Sequence, residues 1–316
     1  MNRAEIETAL PPLALIAGPT ASGKSDLAVR LALRLAQRGR RGVVINADSA
    51  QVYADLAVLS ARPSVEDMLG IEHRLFGTWD GAQACSAADW AAAAAREVAA
   101  VQADCAVPIL VGGTGLYFRT LLDGIAPVPE IDPAIRAEVR ALPLADAHAA
   151  LCCEDPDRAA RIDATDSLRI SRALEVVRST GKPLAHWHRA KSGGIAGMVT
   201  LHPAILLPPR QMLYDRCDAR FAQMLQSGAI EEAAALLARG LSTELPVMRA
   251  IGVPEISDFL RGELDIAESE RRGAQATRNY VKRQQTWLRH QPPSDWPRFY
   301  DINFNDEVIF ASLLRD

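Results

Sequence analysis

The octapeptide Gly18-Pro19-Thr20-Ala21-Ser22-Gly23-Lys24-Ser25 constrains this chain more than any other stretch. The apolar run Leu13–Ala17 precedes it, and a helix-like pattern with Leu27, Leu31 and Leu35 on one face follows. A buried strand, a glycine-bounded loop, Lys-Ser and a helix form the context that G-x-x-x-x-G-K-[ST] requires. Such a loop aims successive backbone N–H groups at one point in front of a helix N-terminus, where they cradle a di- or triphosphate. Residues Gly18 to Ser25 are therefore expected to bind a di- or triphosphate. Lys24 adds a point charge, and the Ser25 hydroxyl is placed to ligate a Mg²⁺ ion bridging phosphate oxygens.

The next apolar stretch, Gly42-Val43-Val44-Ile45-Asn46-Ala47-Asp48-Ser49, reads as a buried parallel strand with Asp48 at its carboxyl end. Loops after the strands of an open α/β sheet share one edge, and ligands bind there. Asp48 is thus expected to face the pocket of Lys24. Pro108-Ile109-Leu110-Val111 reads as another buried strand running into Gly112-Gly113-Thr114-Gly115. That placement makes Thr114 a ligand candidate, with a plain turn threonine as the alternative. Residues 51–62 read as an exposed connection. Ser86 with Asp89 gives a capping-box-like start to an Ala-rich helix over 86–103.

Gly124, Pro127, Pro129 and Pro133 mark a boundary, after which the pattern is helical and charged to about His202. The expected organisation is an α/β core of residues 1–125 and 204–316 carrying a helical insertion domain, residues 126–203. Leu201–Leu207 reads as a strand returning to the sheet, and helices are expected over 214–227, 230–239 and 266–290. The tail after Pro292 shows no motif.

A length of 316 residues suits two domains, or one domain with a large insertion. The formal net charge of −4 announces no global field for a nucleic acid, so any such site must be local. Residues 271–291 supply one candidate: Arg271, Arg272, Arg278, Lys282, Arg283 and Arg289 occur there with no acid. A solvated helix face is the alternative. Cys85, Cys105, Cys152, Cys153 and Cys217 lack metal-ligand spacing and read as reduced structural thiols. The segment MNRAEIETALPP does not resemble a signal peptide, and no apolar run reaches the roughly 18 residues of a membrane helix. A cytoplasmic monomer with no membrane partner is expected.

Several chemistries use a phosphate loop. No Asn-Lys-x-Asp supports a GTPase, and the strand Ile109–Val111 ends without the acid of a motor-type ATPase. A small-molecule kinase remains, with Asp48 taking the proton of a hydroxyl. So does a transferase in which diphosphate is the leaving group.

At this point the sequence resembles a known family, the tRNA dimethylallyltransferases (tRNA isopentenyltransferases). The resemblance rests on five motifs in order: Gly18–Ser25, Asp48-Ser49-Ala50-Gln51-Val52-Tyr53, Gly112–Phe118, Arg169-Ile170-Ser171-Arg172-Ala173-Leu174-Glu175 and Arg283-Gln284-Gln285-Thr286-Trp287-Leu288. It implies a P-loop NTPase-like α/β fold, a parallel sheet core flanked by helices. It also implies transfer of a dimethylallyl group from dimethylallyl diphosphate to N6 of adenine 37 in the tRNA anticodon loop. An adenylate isopentenyltransferase and a P-loop kinase are the alternatives.

On this resemblance Asp48 is the general base, and Lys24 and Arg220 contact diphosphate, with Arg216 one helical turn away as a competing choice. Thr114 lies near the acceptor base, Mg²⁺ is the cofactor, and the partner is the tRNA anticodon stem-loop. RNA contacts are implied at Asp48, Ser49, Ala50 and Gln51, at Thr114, and at Arg136. Leu168, Arg169, Ile170, Ser171 and Arg172 follow, then Arg249, Ala250, Ile251, Gly252, Val253 and Pro254.

Three departures stand out. Leu59-Ser60-Ala61-Arg62-Pro63 replaces the family's Gly-Thr-Ala-Lys-Pro, and Val253-Pro254 stands where an aromatic and a polar or basic residue are commoner. The third is the lack of a C-terminal zinc-finger extension, as in the bacterial form.

Overall fold

The structure is a computed structural model that describes residues 10–189, 191–301 and 305–314. The amino-terminal segment read as lacking a signal peptide therefore lies mostly outside the described residues. The chain divides into two compact units, Met1–Leu121 with Ile195–Asp316, and Leu122–Gly194.

The first unit is built on a parallel sheet. Its strands are β1 (Pro12–Ala17), β2 (Gly42–Asn46), β3 (His73–Arg74), β4 (Val107–Gly112), β5 (Thr200–Leu206) and β6 (Arg298–Phe299). They lie in the order β3-β2-β4-β1-β5-β6, with every neighbouring pair parallel. Burial on both faces explains why β1, β2 and β4 read as unbroken apolar runs rather than alternating ones.

The period-2 alternation survives in what each face touches. Ala14 and Ile16 of β1, Val44 of β2, Ile109 and Val111 of β4 and Leu206 of β5 join one cluster. Leu27, Leu31 and Leu35 of the Lys24–Gln37 helix complete it, so the helix that leaves the phosphate loop is anchored to the sheet beneath. The helix Ala87–Ala103 opens on the expected Ser86–Asp89 capping box. Its buried Trp90 donates Nε1–H to the Asn46 carbonyl at 2.9 Å and stacks on Tyr117 at 4.3 Å.

Two-residue strands escaped the sequence reading. β3 and β6 are too short to show a period, and the tail read as lacking a motif brings Phe310, Leu313 and Leu314 into the core. Residues 51–62 are not the exposed connection expected: Val52, Tyr53 and Leu56 are buried. No helix among the described residues is long and apolar enough to cross a membrane.

The second unit is helical, with helices Pro133–Ala141, Leu144–Glu154, Pro156–Ala159, Ser167–Thr180 and Leu184–His188. Val139, Leu151, Ile170 and Leu174 form its centre. It runs from 122 to 194 rather than from 126 to 203. The expected span had taken in the beginning of β5, whose Thr200 pairs with Pro12 of β1 in the sheet.

Glycine at 112 answers to a close approach. A Cβ there would sit 2.1 Å from the Ala47 carbonyl oxygen, which is backbone and cannot swing aside. Gly112→Ala is expected to cost about 3 kcal/mol of stability. Chemical denaturation would read this as a lowered midpoint.

Candidate active site

The loop after β1 takes the form the sequence demands. Ala21 and Gly23 both adopt positive φ, at 65° and 85°. Alanine rarely pays that conformational cost outside a functional turn. Gly23 caps the Lys24–Gln37 helix without any side-chain hydrogen bond, leaving first-turn N–H groups available to an anion. The buried Ser22 Oγ has no hydrogen-bond partner. Lys24 is buried as well, and its Nζ makes only a 3.4 Å contact, to the Pro19 carbonyl. Burial holds its pKa below the usual lysine value of 10.5, opposed by the attraction of Asp48. A buried ammonium, an orphaned hydroxyl and open N–H groups form a site built for an anion.

Asp48 follows β2 in an Asx-like turn: its N–H donates to Asn46 Oδ1 at 2.8 Å, and its Oδ1 accepts from Ala50 N–H at 3.0 Å. Thr114, after β4, accepts from the Ser49 N–H at 3.0 Å and donates to Ser49 Oγ at 3.3 Å. Adjacency of β2 and β4 in the sheet brings these two loops together.

Two cavities meet here. One, of about 590 Å³, is lined by Ala21 to Asp26, Arg62 and Arg220. The other, of about 310 Å³, is lined by Asp48, Ser49, Thr20 and Tyr280, with Tyr53, Leu59, Phe221 and Ile251 as its apolar wall. Ala61, Arg220 and Met224 line both. The phosphate-loop chamber and the acid chamber thus adjoin at Arg220. The two arginines left open by the sequence also part company: Arg216 donates to the Ala21 carbonyl at 3.2 Å, whereas Arg220 faces both chambers and lies within electrostatic range of Lys24.

Several participants carry roles that the sequence did not assign. Tyr280 reaches the Thr114 and Ser49 side chains, and burial pushes its hydroxyl up to about 12, so it stays protonated at neutral pH. Gln284 accepts from the Thr20 N–H at 2.9 Å and donates to the Gly113 carbonyl at 3.1 Å, clipping the phosphate loop to the loop after β4. Trp287 packs where a Cβ on Gly115 would come within 2.2 Å. All three lie on the helix Ile266–His290, which the sequence marked for its charge and for the motif Arg283–Leu288.

That charge is smaller than its count. Arg271 and Arg272 pair with Glu268, and Arg278 pairs with Asp218. Lys282, Arg283 and Arg289 have no ion-pair partner among the described residues.

Of the five cysteines, all unpaired, only Cys85 and Cys217 are buried; Cys105, Cys152 and Cys153 are exposed, against a purely structural reading. Both buried thiols line the acid chamber, and burial raises their pKa values, that of Cys217 to about 11. They stay protonated and make poor nucleophiles.

Among the residues expected to contact RNA, Ile170 and Val253 are buried in their own cores, so their side chains do not reach a surface. The helical period places Ile170 opposite its exposed neighbours Leu168, Arg169 and Arg172. Arg169 pairs with Asp166 and Arg172 with Glu175, both locally on that helix. Arg136 is exposed. Arg249 pairs with Glu244 yet lines the acid chamber with Ala250 and Ile251; Gly252 is buried at positive φ, and Pro254 is exposed. Gln51 spends its amide nitrogen on the Ser60 and Ala61 carbonyls at 3.0 and 2.8 Å, leaving its oxygen for another partner.

No group of three or more His, Cys, Asp or Glu among the described residues could hold a metal by itself. A Mg²⁺ ion fits nonetheless, because it takes few protein ligands and completes its shell with phosphate oxygens and water. The partly exposed Ser25 at the mouth of the loop offers a hard oxygen donor of that kind.

Sheet, phosphate loop and strand-end acid together define a phosphate-loop α/β enzyme. Comparison with known proteins narrows this class. Residues 51–291 match the model of the IPP transferase family. Curated relatives called tRNA dimethylallyltransferase include one from Novosphingobium aromaticivorans, 64% identical over 88% of this chain and 99% of its own. Another, from Erythrobacter litoralis, is 61% identical over 96% of each chain. The solved structure of a tRNA isopentenylpyrophosphate transferase from Bacillus halodurans covers 95% of this chain and 94% of its own, at 31% identity and TM-score 0.67. The chain belongs to the IPP transferase family.

Proposed function

We propose that this chain transfers a dimethylallyl group from dimethylallyl diphosphate to N6 of adenine 37 in tRNA, releasing diphosphate. The observation that carries this reading is the meeting of two chambers at Arg220, one holding the phosphate loop and the other Asp48. The name of the relatives, tRNA dimethylallyltransferase, supports transfer of a dimethylallyl group to tRNA.

The diphosphate lies on Gly18–Ser25, with Lys24 and Arg220 against its oxygens, and the allyl group enters the apolar side of the smaller chamber. Adenine N6 attacks C1 as the allylic C–O bond breaks and the bond electrons leave with diphosphate. Asp48 accepts the N6 proton as the C–N bond forms, which matters because the amine lone pair is delocalised into the ring and N6 is a weak nucleophile. Thr114 and the protonated Tyr280 flank the acid and orient the base. Loop N–H groups, Lys24 and Arg220 stabilise the charge that builds on the leaving group. Ser25 and the diphosphate oxygens would hold Mg²⁺, whose positive charge would favour departure.

Adenine in a stacked loop cannot present N6 to a cavity, so the base must be extruded. Ser49, Ala50, Gln51, Arg249, Ala250 and Ile251 then border the entering nucleotide. On the helical unit, Arg136, Leu168, Arg169, Ser171 and Arg172 form the surface offered to the anticodon stem-loop.

The test is incubation with labelled dimethylallyl diphosphate and either an anticodon stem-loop carrying A36-A37 or free AMP. Label is expected on the stem-loop. Label on AMP alone, or nucleotide turnover without label transfer, would overturn the proposal. Removal of divalent metal by a chelator is expected to stop transfer, and added Mg²⁺ to restore it.

A further inference from the structure

The segment Ala57–Arg62 borders both chambers: Ala57, Val58, Ala61 and Arg62 line the larger, and Leu59, Ser60 and Ala61 the smaller. A segment that belongs to no helix or strand needs other partners for its backbone groups. The Ala61 and Arg62 N–H groups donate within the segment, to the Val58 and Ala57 carbonyls, and one side chain takes the three N–H groups before them. Glu232, on the helix Ala229–Ala238, accepts the N–H groups of Ala57 and Val58 on Oε1 at 2.6 and 2.9 Å, and that of Leu59 on Oε2 at 2.8 Å. From the other side Gln51 donates to the carbonyls of Ser60 and Ala61. The backbone is gripped by an acceptor on one flank and a donor on the other, and Ala61 is held at φ 51° between them.

We infer that Glu232 is a positioning residue for catalysis: it fixes the wall that the two chambers share, and so sets where the allylic diphosphate lies relative to Asp48. It touches neither reacting group. Charge-assisted bonds from three consecutive amides specify one backbone conformation more tightly than a neutral acceptor would. This inference rests on the proposed function.

Glu232→Gln keeps the shape of the side chain but turns one acceptor into a donor, which then faces an N–H donor. Glu232→Ala removes all three bonds. Each variant is compared with the wild type in the prenyl-transfer assay, with amide hydrogen exchange followed at residues 57–59. The expected result is faster exchange confined to this segment. With it, KM for dimethylallyl diphosphate rises, or kcat falls, by about 10-fold or more, alanine more than glutamine. RNA affinity is expected to stay within about twofold, and Glu232→Asp to lose less than Glu232→Ala.

Faster exchange with unchanged kinetic constants would overturn the inference, as would kinetic loss matched by equal loss of RNA binding and of melting temperature. Exchange is read without turnover. A wild-type chain that fails to transfer label therefore condemns the proposed function, whereas unchanged exchange in both variants condemns the role of Glu232.

Discussion

Replacing Asp48 with asparagine is expected to slow prenyl transfer by about 10²–10⁴-fold, the usual worth of a general base. The substitution is chosen to leave the fold alone. An asparagine Oδ1 still accepts the Ala50 N–H that Asp48 now holds at 3.0 Å, while the amide cannot take a proton from N6. Stem-loop affinity and melting temperature should therefore stay near wild type, and the loss should appear in single-turnover rates. Turnover near the wild-type level would assign the proton to another group.

The second large effect is at Lys24. Methionine there keeps the aliphatic stem and removes the charge, with an expected loss of about 10²–10³ in kcat. Stability should move the other way. Burial lowers the pKa of Lys24 from 10.5, so in the folded protein the ammonium is penalised relative to the unfolded chain. That penalty is in full force below the folded pKa and disappears as the pH rises past 10.5. The ligand-free Lys24→Met variant is thus expected to melt higher than wild type at neutral pH, with the gap closing in alkaline buffer. Saturating diphosphate should reverse the order by stabilising only the wild type. A variant that loses activity and ligand-free stability together would mean that Lys24 supports the loop rather than the ligand.

These two residues were also the easiest to find. The phosphate loop is contiguous, its residue types are dictated by backbone geometry and anion chemistry, and Asp48 and Thr114 follow from the rule that strand ends share an edge. Tyr280 and Glu232 were invisible for a different reason, and Gln284 stood in a motif that gave it no role. They reach the site from helices more than 150 residues away in sequence, as the separations of 264 between Thr20 and Gln284 and 175 between Ala57 and Glu232 show. Nothing local says that a glutamine clips two loops or that a glutamate accepts three amides.

Edge strands His73–Arg74 and Arg298–Phe299 are too short to carry a period. The basic helix was over-read because its neutralising acids, Glu268 just upstream and Asp218 on another helix, fell outside the window that drew attention to it. Ile170 and Val253 came in with their motifs. A motif fixes neighbours in sequence, whereas helical geometry sends adjacent side chains to different faces.

The most direct measurement is a crystal structure of the chain with an unreactive thiolodiphosphate analogue of the prenyl donor and an anticodon stem-loop. The expected complex has diphosphate oxygens on the Ala21, Gly23, Lys24 and Ser25 N–H groups and on the Lys24 ammonium, because the Gly18, Thr20 and Ser22 N–H groups already donate to Gly112, Gln284 and Pro19. Adenine N6 should lie about 3–3.5 Å from C1 on the side opposite the bridging atom, with an Asp48 oxygen about 2.6–3.2 Å from N6. An analogue bound away from the loop, or an adenine whose N6 faces away from Asp48, would contradict the reaction geometry.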